Sequence, residues 1–195
     1  MQRDESQRFT ILLSSGIICI LASFVLPLFL GSIIRDAFFK PKGAFAFSSD
    51  SASYFIFAGA FILIGILLIL LAIDAIKLKI RIIISSILIV ISAIMLTLSI
   101  DNYYYGTEKG FYANPLNSLG TTEILWKDIS EMEQIYVKVN DNQEPRKLIF
   151  KLHDGSQVEI NYNQYLYDAR NMIEAYVKGY GGKSIITEKE ENESE

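Results

Sequence analysis

The chain has one cysteine and one histidine among its 195 residues. A single thiol cannot close an internal disulfide, and no Cys-x-x-Cys or Cys/His cluster is present to hold a metal. Cys19 lies inside an apolar run and reads as a small buried hydrophobe. His153 stands alone beside Asp154-Gly155 and reads as a solvated turn residue. No Gly-x-Ser-x-Gly, His-Glu-x-x-His, Walker A or dinucleotide fingerprint occurs. Asp128 and Glu131 are three apart, but Glu131 fits the start of a strand better than an acid/base pair. The sequence therefore offers no catalytic residue, no cofactor-binding residue, no metal ligand and no cofactor, and the chain is read as non-enzymatic.

Charge is missing from three long stretches. The mean hydropathy of +0.29 averages two different halves. Residues 1–100 carry a formal charge of +3 and residues 101–195 one of −7. Such a split implies two different solvents. Phe9–Ile34, Tyr54–Ile73 and Ile82–Ile100 contain no charged residue. Each approaches the roughly 20 residues that a helix needs to cross a bilayer. Lipid cannot pair with backbone N–H and C=O groups, so each run is expected to be a helix. Three spans follow, at about 9–34, 54–73 and 82–100, behind a short polar N-terminus (1–8). The first run is too long for a signal-peptide core and lacks an Ala-x-Ala-like site, so it is expected to stay. Pro27 and Gly31 should kink or loosen its last turns. The basic "DAIKLKIR" segment is expected to be a tight turn.

The third run carries Ser85, Ser92 and Ser99 at seven-residue spacing. They share one stripe of a helix, which suits close helix packing, either within this chain or between copies. No span has an ionisable residue in its interior, which argues against an ion-coupled transporter. The Lys and Arg residues near the spans divide five to four. That count favours the N-terminus and the 74–81 turn inside, and the second half outside.

The second half alternates in a strand-like way over 101–183. Short strands are expected in "DNYYYGTEKGFYAN" and, after an Asn117–Gly120 turn, in "TTEILW". "MEQIYVKV" sets Ile135, Val137 and Val139 on one face. "DNQEPR" reads as a turn, since Pro145 disfavours a central strand. "KLIFKL" and "QVEINY" flank an Asp154-Gly155 hairpin turn. Asn163 is an N-cap for a helix whose Leu166, Ala169, Ile173, Tyr176 and Val177 face a sheet, ending near Gly179. The last segment, 184–195, is expected to be an acidic disordered tail. The fold class is thus a membrane α-helical region joined to an α+β module of about six antiparallel strands closed by one C-terminal amphipathic helix.

The only tryptophan, Trp126, sits among charges and reads as a core anchor with Ile129. Phe150 and Gly155 are further fold-anchoring candidates. Lys147 and Lys151 share a strand face with Arg146 nearby, but Glu159 is on the neighbouring strand and the half is net negative. Nucleic acid and anionic lipid are therefore poor candidates as main partners. Tyr103, Tyr104 and Tyr105 directly follow the third span, where an aromatic belt is expected; other exposed tyrosines suit a protein interface.

Gly110-Phe111-Tyr112, then Trp126-Lys127-Asp128-Ile129, then Leu148 through Gly155, then a helix, resembles the bacterial PH-like domain family. The resemblance covers about residues 103–178. It implies a small bent sheet capped by a helix, often joined to a few membrane spans and more often cytoplasmic. That sidedness opposes the charge count. It implies no single activity. The expected function is a multi-pass cell-membrane protein whose PH-like module contacts a protein partner at the membrane surface, in an accessory, sensory or immunity-type role. Its partners would be the lipid bilayer and that protein. The alternative is a small membrane enzyme or transporter with a site where helices and module meet.

Overall fold

The computed structural model describes residues 2–116, 120–139 and 142–190. They form two compact units, Met1–Phe39 with Ser51–Asn102 and Lys40–Asp50 with Tyr103–Glu195. The chain passes between the units at 39/40, 50/51 and 102/103, and only the last of these lies near the boundary expected at residue 100. The segment between the first two apolar runs belongs with the C-terminal half.

The helical unit contains α1 (Gln2–Ala22), a π-helical turn (Pro27–Gly31), α2 (Ser32–Phe39), α3 (Ser51–Ala72) and α4 (Leu78–Asp101). The run expected as one span at 9–34 is two helical pieces, Ser6–Ala22 and Pro27–Phe39, that meet at 64°. The cause is local. Between Ser23 and Leu28 the backbone bonds shorten to i−3 partners. Ser23 Oγ also donates to the Ile20 carbonyl at 2.6 Å, and Pro27 has no N–H to continue the ladder. α3 and α4 are each long and apolar enough to cross a membrane, and the bent pair makes a third candidate only if it counts as one span.

Small residues let these helices approach. A Cβ on Gly16 would lie 2.8 Å from the Gly65 carbonyl oxygen, and a Cβ on Gly65 would lie 2.8 Å from that of Gly16. Cys19 Sγ reaches the Phe61 carbonyl at 3.5 Å. Tyr54 Oη donates to the Phe24 carbonyl at 3.0 Å. α1 therefore runs antiparallel along α3. On the other side of α3, Ser99 Oγ donates to the Ser53 carbonyl at 2.6 Å. Buried Ser53, Ala60 and Leu67 on α3 repeat every seven residues, as do Ser99, Ser92 and Ser85 on α4. The two stripes thus run in step from the Ser53–Ser99 contact. At the opposite end, Arg81 pairs with Asp74 at 2.8 Å across the turn.

Among its described residues the second unit holds eight strands and one long helix. They are β1 (Phe45–Ser48), β2 (Tyr103–Gly106), β3 (Gly110–Asn114), β4 (Thr122–Leu125), β5 (Ile129–Val139), β6 (Asn142–Leu152), β7 (Gln157–Asn161), α5 (Gln164–Gly179) and β8 (Lys183–Glu190). One sheet has the order β1-β2-β3-β4 and the other β7-β6-β5-β8. All pairs are antiparallel except β5 with β8. A single-turn 3₁₀ helix, Trp126–Asp128, passes the chain from one sheet to the other. One apolar core joins both sheets and α5, with Trp126, Phe111, Phe150, Ile129, Leu166 and Ile173 fully buried.

Several elements depart from expectation. β1 replaces an expected loop, because Phe45 supplies an aromatic side chain to the core. β8 occupies 183–190, where disorder was expected from 184. Ile185, Ile186 and Thr187 are β-branched, and parallel pairing to β5 from Glu131 to Lys138 offsets the acidic composition. Residues 191–195 lie outside the described residues, as do 117–119 of the expected Asn117–Gly120 turn. Pro145 lies inside β6 and not in a turn. It pairs with Tyr136 while Lys147 pairs with Ile135, so Arg146 is an extra residue and Pro145 sits at a bulge, where a missing N–H is tolerated. The same irregularity shifts the inward phase of β5, so Met132 and Gln134 are buried as well as Ile135 and Val137.

Candidate functional site

Trp126 is fully buried. Its Nε1 donates to the Thr107 carbonyl at 2.9 Å. Its indole stacks on Tyr176 of α5, with centroids 5.3 Å apart and planes 6° apart. Phe45 of β1 lies near-parallel to both rings. Ile129 and Phe150 are also fully buried. Gly155 has φ +86, which the hairpin turn requires and glycine adopts without strain. Asp154 Oδ1 accepts from Ser156 N at 2.8 Å and Ser156 Oγ at 2.6 Å, holding the Asp154 carboxyl below its usual range. Trp126, Ile129 and Phe150 thus sit in the core, and Gly155 in an exposed hairpin turn. Ser85, Ser92 and Ser99 are buried in the helical unit, and only Ser99 makes a hydrogen bond there; the hydroxyls of Ser85 and Ser92 have no partner among the described residues.

Two of the basic side chains singled out in the sequence, Lys147 and Lys151, are closely paired, Lys147 with Glu159 at 3.1 Å. Arg146 comes only to 3.9 Å from Glu144 with both side chains half-exposed, a contact too weak to occupy that carboxylate. Lys151 lies 2.7 Å from Glu131 and 2.8 Å from Glu133. These contacts raise the Lys151 ammonium, the Glu131 hydrogen bond most. Glu133, which also accepts from Thr187 Oγ1 at 2.7 Å, is lowered chiefly by Lys151. Thr187 belongs to β8, so this cluster fastens the added strand. No group of three or more His, Cys, Asp or Glu side chains that could hold a metal occurs among the described residues.

A small cleft of about 290 Å³ opens where β6 meets the start of α5. It is lined by Glu144, Pro145, Tyr162, Asn163, Gln164 and Tyr167. The bulge at Pro145 and the turn from β7 into α5 form its two walls. Asn163 fixes the corner. Its Oδ1 caps α5 by accepting from Leu166 N at 3.0 Å. Its Nδ2 donates to Ser48 Oγ at 2.7 Å, to the Ser49 carbonyl at 3.3 Å and to the Tyr104 hydroxyl. Tyr162 Oη donates to Gln134 Oε1 at 2.9 Å, and Gln134 is itself buried. Burial, more than its neighbours, pushes the Tyr162 phenol well above its ordinary pKa. Arg170 lies 3.8 Å over the Tyr167 ring and donates to the Tyr167 carbonyl at 2.6 Å. The cleft walls are therefore held before any ligand arrives, with the Glu144 carboxylate half-exposed at the rim. At this size the cleft lies at the lower bound of ligand pockets and has room for one side chain.

Sequence reasoning had named Asn163 only as a helix cap and did not find the cleft. Its signal, a proline and tyrosines distant in sequence, needs the β5–β6 bulge to become a surface. Comparison with protein-family models, curated proteins and solved structures finds no match to the chain.

Proposed function

We propose that the protein is a non-enzymatic multi-pass membrane protein whose second unit is a PH-like module that docks a partner protein at the membrane surface. The observation that carries this reading is the preorganised cleft at Glu144, Pro145, Tyr162 and Tyr167. Its aromatic edges and single rim carboxylate suit a Lys or Arg side chain of a partner. Two small sheets closed on one core by α5, with Trp126 at their junction, support the PH-like reading. β1 and β8 lie outside the stretch that carries the resemblance.

Three crossings fit the helical unit. The Arg8 charge acts on Asp74, at the end of α3 where Arg81 pairs with the same carboxylate. Arg35, at the far end of the bent pair, donates to Ser53 Oγ at 2.9 Å and to the Asn102 carbonyl at 3.4 Å. These contacts at both ends of α3 support reading the bent pair as one span. β1 and β2 are hydrogen-bonded strands separated by α3 and α4. Two crossings by those helices return the chain to one side, as that pairing demands.

The test is a photoreactive residue at Gln164 in the full chain in its membrane, with one at Glu108 as the control. The expected result is a discrete protein adduct from Gln164 that Glu144→Gln weakens and Glu108 does not give. Adducts at Gln164 that match those at Glu108 would overturn it.

A further inference from the structure

β1 carries a bulge: Phe45 pairs with Gly106 and Ser48 with Tyr104, so β1 spends three steps where β2 spends two. Ala46 takes the extra step at φ +53, a left-handed conformation that costs a non-glycine residue about 1 kcal/mol. In a regular strand Phe45 and Phe47 would share a face. Here Phe45 packs into the core against Trp126 and Tyr176, while Phe47 turns to the outer face of the sheet. There it meets Tyr103 and Tyr105 at ring-centroid distances of 6.2 and 6.3 Å. Tyr103 and Tyr105 stack at 6.1 Å, and Tyr105 stacks on Tyr112 at 4.8 Å. Tyr104, between them in sequence, points into the core and is 3% exposed. The belt expected of Tyr103, Tyr104 and Tyr105 together is instead a four-ring ladder across β1, β2 and β3.

We propose that this ladder is a lipid-interface surface that lies in the headgroup layer of the bilayer. The argument is chain reach and chemistry, and it rests on α3 and α4 crossing the membrane. Tyr103 stands two residues past Asp101, the last residue of α4. Phe47 stands four residues before Ser51, the first of α3. At no more than about 3.6 Å per residue, the backbone at Tyr103 and Phe47 can stand no farther than about 7 and 14 Å from the helix ends. The headgroup region is about 5–8 Å deep on each side. Amphipathic rings with a phenol at one end favour that layer. At the β4 edge, Tyr112 Oη donates to Glu123 at 2.7 Å, so the apolar ladder ends there in a carboxylate, as a surface leaving lipid for water should. The left-handed Ala46 is what turns Phe47 outward, and local strain of this kind motivates assigning the face a use.

The experiment uses the full chain in vesicles of phosphatidylcholine and phosphatidylglycerol brominated near the headgroup. Tyr105→Trp is the reporter, with Phe47→Trp as a second should the first fail to fold. Phe55→Trp in α3 reports the span, and Tyr180→Trp reports water. The buried Trp126 signal of the unsubstituted chain is subtracted. The ladder reporters should lose about half their emission, comparable to Phe55→Trp, while Tyr180→Trp keeps its own. Ladder reporters that behave like Tyr180→Trp beside a quenched Phe55→Trp would overturn the lipid surface alone, and would leave the face to water or protein. An unquenched Phe55→Trp would overturn the span and the surface together.

Discussion

The Phe45 ring lies 6.4 Å from the Trp126 indole with the two planes 12° apart. These residues are 81 positions apart, and both α3 and α4 lie between them. The strand that carries Phe45 is thus a working part of a domain whose remainder begins at Tyr103. Phe45 is partly buried against the core, so Phe45→Ala should lower the stability of that domain by about 2 kcal/mol, somewhat less than the cost of emptying a fully buried aromatic position. Denaturant unfolding followed by Trp126 fluorescence in detergent measures it. An unchanged midpoint would mean that β1 is only an attachment.

Asn163 joins β1, β2 and α5 through one amide. Asn163→Ala should cost about 1–2 kcal/mol and open the first turn of α5 to hydrogen exchange. Asn163→Asp keeps the cap oxygen but loses the donors to Ser48 and Ser49, so protection of the helix start should recover while protection of β1 does not.

The buried Tyr162 phenol makes the domain sensitive to alkali. Its folded pKa lies above its unfolded value of about 10. Below that value both states hold the proton, and its contribution is fully present. Above it the unfolded chain releases the proton first, so stability falls as pH rises. Tyr162→Phe should cost about 1–2 kcal/mol at neutral pH, because buried Gln134 loses its donor. It should also flatten part of the alkaline loss. Unfolding midpoints compared at about pH 8 and about pH 11 test both effects.

Within the helical unit the three serines should behave differently. Ser99→Ala breaks the bond to Ser53 and should cost about 0.5–1 kcal/mol. Ser92→Ala removes a hydroxyl without a partner and should leave thermal stability in detergent unchanged or slightly raised. Ser92→Leu should disrupt the α3–α4 seam, since overfilling a packed contact costs about 1–3 kcal/mol.

Much of the helical unit is legible in the sequence because lipid imposes one backbone solution on uncharged runs. The break at Ser23–Pro27 is visible in the sequence only as Pro27 and Gly31; its 64° angle depends on hydrogen bonds that hydropathy cannot register. In the second unit, period-two patterns mark most strands, and Asp154-Gly155 and Asn163 mark their turns. β1 escaped because four residues with a bulge at Ala46 show no alternation. β8 escaped because its parallel partner is about 50 residues away and its charge resembles that of a tail. The cleft was illegible for a related reason. Glu144 and Pro145 reach Tyr162 and Tyr167 only through a one-residue bulge in a long hairpin.

Sidedness gives the most direct check on the proposed three crossings and on the two-segment second unit. In a Cys19→Ser background, single cysteines at Gln7, Lys42, Lys79 and Lys109 are probed in intact cells with an impermeant maleimide. Lys42 and Lys109 should label alike, and Gln7 and Lys79 should label alike and opposite to them. Labelling at Lys42 and Lys109 from outside would place the module extracytoplasmically, as the five-to-four charge count favours. Protection of both would place it in the cytoplasm, as the family resemblance implies. Unlike labelling of Lys42 and Lys109, or Gln7 labelling together with Lys109, would contradict the architecture.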